Sequence, residues 1–208
     1  MTEPEAEPPY AAELFGDRIE VARSFTADLV RYGEELGLIG PLEVERLWSR
    51  HVVNSVLVAP LLRPGRVGDV GSGAGLPGLV LAIARPDAHL VLIEPMERRT
   101  DWLSAEAERL GLTNVTVLRG RAEDLVPEPL LDQVTARAVS ALSKLVPLCV
   151  PLLRRGGELL LMKGARVDEE VVAAEKALRK AKVRDPEVLV LGQGIVPEVT
   201  RVFRARVD

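Results

Sequence analysis

Two carboxylates and a run of glycines carry the most chemistry in this chain. In Asp69-Val-Gly-Ser-Gly-Ala-Gly-Leu-Pro-Gly78 an acid stands near the end of an apolar approach, and Gly71, Gly73 and Gly75 alternate behind it. Glycines at this spacing tolerate positive φ and let a ligand come close to the backbone. A second apolar run, His89-Leu-Val-Leu-Ile-Glu94, also ends in an acid, 23 residues after Gly71. A carboxylate there can bind the two hydroxyls of a ribose. Gly73-x-Gly75-x-x-Gly78 formally meets the dinucleotide pattern, but it begins two residues later than the end of the apolar approach suggests. Asp69 tilts the balance. It would repel a pyrophosphate, whereas it can receive, directly or through water, the cationic amino group of a methionine moiety. The pattern favours S-adenosylmethionine (SAM) over a dinucleotide, with a merely structural tight turn as the plain alternative.

Three further stretches bear on the reaction. Arg119-Gly-Arg-Ala-Glu-Asp124 follows another apolar run, where a SAM enzyme covers the adenine and reads its edge with backbone groups and an acid. Thr135-Ala-Arg-Ala138 stands where an exocyclic-amine methylase would carry Asn/Asp-Pro-Pro-aromatic, and this chain lacks that motif. A C5-pyrimidine methylase needs a thiolate, but the one cysteine, Cys149, sits in the apolar Leu145-Val-Pro-Leu-Cys-Val-Pro-Leu-Leu153, a setting that raises a thiol's pKa. What remains is an acceptor that needs no base, with Arg137 and Lys163 at strand ends to position it. Either could instead be salt-bridged or snorkelling.

Elements must hold these residues together. Strand–helix alternation beyond Pro64 predicts a parallel sheet covered on both faces. Strands are expected at 66–71, 88–93, 114–119, 131–136 and 157–163, then near 187–191 and 199–206, the last two as an antiparallel edge pair. Helices are expected at about 77–84, 97–110, 141–153 and 168–181. Ahead of them, apolar residues recur with helical rhythm from Tyr10 to Leu38, Gly40-Pro41 interrupts, and a second helical segment runs from Leu42 to about Leu62. This N-terminal region holds five of the seven aromatics, Tyr10, Phe15, Phe25, Tyr32 and Trp48. They read as packing anchors of a helical cap, with base stacking as the sharper alternative. The division expected is a disordered acidic lead over 1–9, a helical cap over 10–62 and a SAM-binding domain over 63–208.

Composition bounds the partners. A chain of 208 residues can bury one sizeable core. One cysteine excludes a disulfide framework and a metal cluster, so no metal is expected, and a reducing cytoplasm is the default location. Neither a membrane span nor a signal peptide is legible. The formal charge of −4 argues against nucleic acid at first. Residues 1–20, however, carry six acids against Arg18 alone, leaving 25 acids and 26 bases beyond. The body is close to neutral, which leaves RNA binding open.

The motifs taken together resemble the bacterial ribosomal small-subunit methyltransferase G family, also called glucose-inhibited division protein B. They are Trp48-Ser-Arg-His-Val-Val-Asn-Ser55, Asp69 to Gly78, Glu94-Pro-Met-Glu-Arg-Arg-Thr-Asp-Trp-Leu103, Gly120-Arg-Ala-Glu123, Thr135 to Ala138 and Met162-Lys-Gly164. The likeness runs from about residue 10 to the C-terminus, and its specificity lies in their order and spacing. It implies a Rossmann-like SAM-dependent methyltransferase fold, α/β, with a seven-stranded mostly parallel sheet and an N-terminal helical extension. It also implies methyl transfer from SAM to N7 of a guanine in a 16S rRNA stem-loop near the decoding centre. The partner expected is 16S rRNA or an assembling small subunit, and the protein is expected to act as a monomer. By the same resemblance Gly71, Leu76, Ala122, Glu123 and Arg137 contact SAM, beside Asp69, Gly73, Gly75 and Glu94 from the motif reading. Arg98, Arg99, Lys163 and Arg201 would face RNA. The chain departs from the family pattern at Asn54, Glu94 and Arg98, where Asp, Asp and Lys are common. Two other readings stay open on the residues alone: a small-molecule SAM methyltransferase with a helical lid, and a non-catalytic nucleotide-binding module.

Overall fold

A computed structural model describes residues 3–208, and Met1 and Thr2 lie outside the described residues. Seven strands form one sheet: β1 (Gly65–Val70), β2 (Ala88–Glu94), β3 (Val115–Arg119), β4 (Leu131–Arg137), β5 (Leu153–Lys163), β6 (Val183–Leu191) and β7 (Thr200–Val207). Their order is β3-β2-β1-β4-β5-β7-β6. β1 to β5 pair in parallel, and β7 runs against both of its neighbours. The chain leaves β1 towards β2 and β3 on one side and returns to β4 and β5 on the other. The carboxyl ends of β1 and β4 therefore flank a topological switch point, where open α/β sheets bind ligands. Antiparallel β7 sets Arg201 directly opposite Lys163, so a residue at the start of one strand meets one at the end of another.

The parallel strands read as continuous apolar runs because both faces are covered. Within β5, Leu159 and Leu161 pack in one core cluster, while Leu160 and Met162 pack in the other. On the first face lie the N-terminal region, α4 (Gly78–Ala84) and α5 (Glu97–Arg109). On the second lie α6 (Leu142–Cys149) and α7 (Val167–Lys180). Cys149 is fully buried in that second cluster, and burial pushes its thiol up to about 12. Cys149→Ala should leave methyl transfer within a few-fold of wild type and cost about 1 kcal/mol of stability. Trapping a covalent RNA adduct through this sulfur would overturn the base-free reading.

Two strands, β5 and β6, begin several residues earlier than the sequence suggests. β5 starts at Leu153 rather than 157, because the helix gives way to a short 3-10 turn at Val150–Leu152 and the chain enters the sheet through a register shift against β4. β6 starts at Val183 and holds Pro186, which is tolerated because this is an edge strand with a shift between Arg184 and Glu187.

The N-terminal region departs further from expectation. Its first part is helical, as α1 (Ala11–Phe15), a 3-10 turn and α2 (Ile19–Tyr32). The single helix expected from Leu42 is instead composite: 3-10 at Val44–Arg46, π at Leu47–Val53, α3 (Asn54–Val56), then 3-10 at Ala59–Leu61. The wider π turn lets Leu47, Trp48, Val52 and Val53 all reach the core while Arg50 stays exposed. Phe15, Phe25 and Trp48 are buried and Tyr10 and Tyr32 pack against the same core, so these aromatics are anchors of the cap. Residues 3–9 form no helix or strand but make hydrogen bonds and an ion pair to the cap. The Glu5 N–H donates to the Val44 carbonyl (3.1 Å), its carboxylate accepts from the Ser49 N–H (3.0 Å), and Glu7 pairs with Arg23 (2.6 Å). The acids that made this lead look disordered are the groups that tie it down.

Candidate functional site

The glycine turn is built by three positive φ angles, +73° at Gly71, +54° at Gly73 and +93° at Gly75, which L side chains rarely adopt. The N–H groups of Gly71 and Ser72 donate to the Ile93 carbonyl, which locks the turn to the end of β2. Glu94 then clamps it. One carboxylate oxygen accepts from the Gly73 N–H and the other from the Met96 N–H, each at 3.0 Å, at a side chain only 3% exposed. The strand-end acid thus shapes the loop as well as facing the cavity above it.

That cavity has about 330 Å³ and is lined by Gly71, Glu94, Met96 and Arg99, by Ala122 and Glu123 after β3, and by Arg137 to Val139 at the end of β4. Its size suits a nucleoside-bearing ligand. Gly73 is not part of that lining, but a Cβ built there meets nothing nearer than the Gly71 carbonyl oxygen at 3.8 Å, so the space over the turn is open.

Asp69 is placed differently from the expectation. It is fully buried beneath the turn, and its Oδ2 accepts from the Gly78 N–H at 2.9 Å while Oδ1 has no partner among the described residues. A Cβ on Gly78 would come within 2.5 Å of that carboxylate, so glycine is required for the close approach. The structure therefore does not bring Asp69 into the cavity lining; it supports the loop from below. Gly75 packs on Leu79, and Leu76 is turned into the core at 6% exposed. Burial raises the Asp69 pKa from 3.8 to about 6. A carboxyl whose folded pKa exceeds its unfolded value holds its proton more tightly when folded, so this contribution to stability declines as pH rises from about 4 to 6. Asp69→Asn, which keeps an acceptor for Gly78, should remove that decline. Thermal melts of both proteins without ligand across this range check it, and parallel pH curves would refute it.

A second, larger cavity of about 720 Å³ adjoins the first and shares Arg137 and Ala138 with it. Arg50, His51 and Asn54 line it from the cap, Met162 and Lys163 from β5, and Arg201 from β7. Among the described residues neither Arg137 nor Arg201 pairs with a carboxylate, whereas Arg50 lies 3.6 Å from Glu198. Arg137 is half-buried, and burial lowers its pKa to about 10, which leaves it charged at neutral pH. His51 Nε2 lies 2.5 Å from a Glu43 carboxylate oxygen, and its Nδ1 is buried without a partner among the described residues. Burial, then the Arg137 charge, pushes the imidazole pKa below its usual value, against the pull of Glu43.

The residues expected to face RNA, Arg98, Arg99, Lys163 and Arg201, are only partly brought together. Arg137, Lys163 and Arg201 meet in the second cavity. Arg99 instead leans into the first, with Nη1 3.9 Å from Glu94. Arg98 lines neither cavity; its guanidinium lies 2.9 Å from where a Cβ on Gly37 would sit, against the cap. Lys163 is only 9% exposed and bonded to Glu170 at 2.7 Å. Sequence reasoning assigned no role to Arg50, His51, Met96 or Val139. Arg50, His51 and Asn54 were legible as polar breaks in the apolar run from Leu47 to Ala59, but which wall they line depends on the π turn.

Comparison with known proteins now places the chain. The family described as GidB, rRNA small subunit methyltransferase G, matches residues 18–198. The "Ribosomal RNA small subunit methyltransferase G" of Clavibacter michiganensis subsp. michiganensis is 67% identical over 210 residues, covering 100% of both chains. That of Clavibacter sepedonicus is 66% identical, covering 99% of this chain and 98% of its own. Among solved structures, a SAM dependent methyltransferase from Aquifex aeolicus superposes with a TM-score of 0.57 at 20% identity, over 78% of this chain and 93% of that one. That likeness speaks to the Rossmann-like methyltransferase fold alone. With the family match spanning most of the sequence and both relatives alike from end to end, the chain belongs to the rRNA small subunit methyltransferase G family, GidB.

Proposed function

We infer that this protein transfers a methyl group from SAM to N7 of a guanine in 16S rRNA near the decoding centre. The observation that carries the reading is the pair of adjoining cavities, one over the glycine turn and one lined by cations, with Arg137 and Ala138 as their common wall. Family membership supports the same activity.

When bound, SAM supplies a methyl group on a positively charged sulfur. Glu94 offers carboxylate oxygens beside the turn for ribose hydroxyls, while Gly71, Ala122 and Glu123 line the space for the rest of the nucleoside. Guanine N7 carries a free lone pair at neutral pH, so no side chain has to remove a proton. The protein's task is alignment, which can supply much of the barrier reduction. Arg137, between the cavities, can donate to the O6 edge of the guanine and leave N7 free. Arg50 and Arg201 present unspent or weakly paired charge to phosphates. We place this work in the cytoplasm, by a monomer, on rRNA alone or within an assembling small subunit. Among the described residues no helix is long and apolar enough to cross a membrane.

The cap is not built as a hinged lid for small substrates, since Ala11, Phe25 and Leu29 are fully buried in the core shared with the sheet. The decisive experiment maps N7-methylguanine along 16S rRNA from cells lacking the protein and from cells in which it is restored. One position should lose and regain the mark. Identical maps would remove the reading.

A further inference from the structure

We propose that Lys163 is a positioning residue for the cofactor side of the site: it holds the loop Ala138–Ser140, and with it Val139, over the glycine turn. The inference rests on the functional reading above and differs from a phosphate-contact role for this lysine.

The loop needs an external tether. Ala138 sits at φ +55°, a left-handed conformation that costs a non-glycine residue energy, and the Ser140 hydroxyl is buried without a partner among the described residues. Neither feature would persist without neighbours that over-determine the loop. Lys163 supplies the tether, because its ammonium donates to the Ser140 carbonyl at 2.9 Å. It is itself held by the Glu170 carboxylate at 2.7 Å. Glu170, in the first turn of α7, also accepts from the Leu142 N–H at 3.1 Å, so one carboxylate fastens both the far end of the loop and the lysine that grips it.

The loop's position matters because of what it touches. Val139 lines the first cavity, and its Cγ2 would lie 2.9 Å from a Cβ on Gly71, so it sits directly above the turn. Arg137 and Ala138 line both cavities. A lysine reached from the second cavity thus sets the wall of the first. With two oxygens already bonded and 9% of its side chain exposed, Lys163 has little capacity left for a phosphate.

The test compares wild type, Lys163→Met and Glu170→Gln. SAM affinity is measured by calorimetry without RNA, and rRNA methylation is followed against salt concentration, with thermal melts confirming that each variant is folded. Glu170→Gln is informative because the residue reaches the loop only through Lys163 and Leu142 and lines neither cavity. Both variants should weaken SAM binding about five-fold or more in the absence of RNA and leave the salt slope of methylation unchanged. SAM affinity within two-fold of wild type in either folded variant would overturn the proposal. So would a salt slope reduced by about one counterion in Lys163→Met, which marks a phosphate contact. Wild-type protein that binds no SAM would instead sink the functional reading itself, and the inference with it.

Discussion

Gly73→Val is expected to leave the protein folded yet abolish measurable SAM binding. Gly73 stands at φ +54°, where a β-branched residue is strained by about 1–2 kcal/mol, and its N–H is one of the two donors on Glu94. The fold has room for the added atoms, since a Cβ there meets only the Gly71 oxygen at 3.8 Å. The room is the point. It is the space over the turn, and two methyl groups would occupy it. Glu94→Ala tests the same site from the other side. It removes the acceptor from Gly73 and Met96 together with the carboxylate facing the cavity, and should weaken SAM by about 1–3 kcal/mol, the cost of unmade charged hydrogen bonds. Calorimetry on both variants, with melts to confirm folding, checks this. Wild-type affinity in the pair would remove the cofactor assignment.

The second large effect concerns RNA. Sequence reasoning would neutralise Arg98 and Arg99, but Arg99 leans over Glu94 and Arg98 packs against the cap. The structure transfers the prediction to Arg50 and Arg201, which both line the second cavity, one from the cap and one from β7. Arg201 has no carboxylate partner among the described residues, and Arg50 has only an exposed one at 3.6 Å, worth little. Their double alanine variant should weaken rRNA binding by about 2–3 kcal/mol and flatten its salt dependence by about two counterions' worth, with SAM affinity nearly intact. Binding measured from low to moderate salt decides the matter. An unchanged slope would mean that this cavity does not meet the phosphate backbone.

Much of this protein was determined by local sequence. The alternation of apolar runs and helical periods specifies a parallel sheet, because strands covered on both faces are mostly apolar and their crossovers are usually helical. The alternating glycines specify the turn, since positive φ at three nearby positions is cheap for no other residue. Glu94 at the end of its strand reaches the cavity simply because β1 and β2 are parallel neighbours. Cys149 could be called inert from its apolar flanks alone, and burial agrees.

Tertiary structure decided what one-dimensional spacing cannot carry. Asp69 and Glu94 look equivalent in sequence, each an acid at or near the end of an apolar run. Packing turns Asp69 under the loop to meet Gly78 and leaves Glu94 facing the cavity, because only the fold states which side of the turn each carboxylate is on. The acidic lead looked disordered because its partners, Val44, Ser49 and Arg23, are many residues away. The π turn that brings Arg50 and His51 to the site arises from packing four neighbouring apolar residues into one core, a demand no local propensity states. The fate of each charge followed the same rule: Lys163 went to Glu170, Arg99 towards Glu94, and Arg201 to the rim only because β7 runs antiparallel. A side chain's type sets what it can bind, but its nearest opposite charge is a fact of three dimensions.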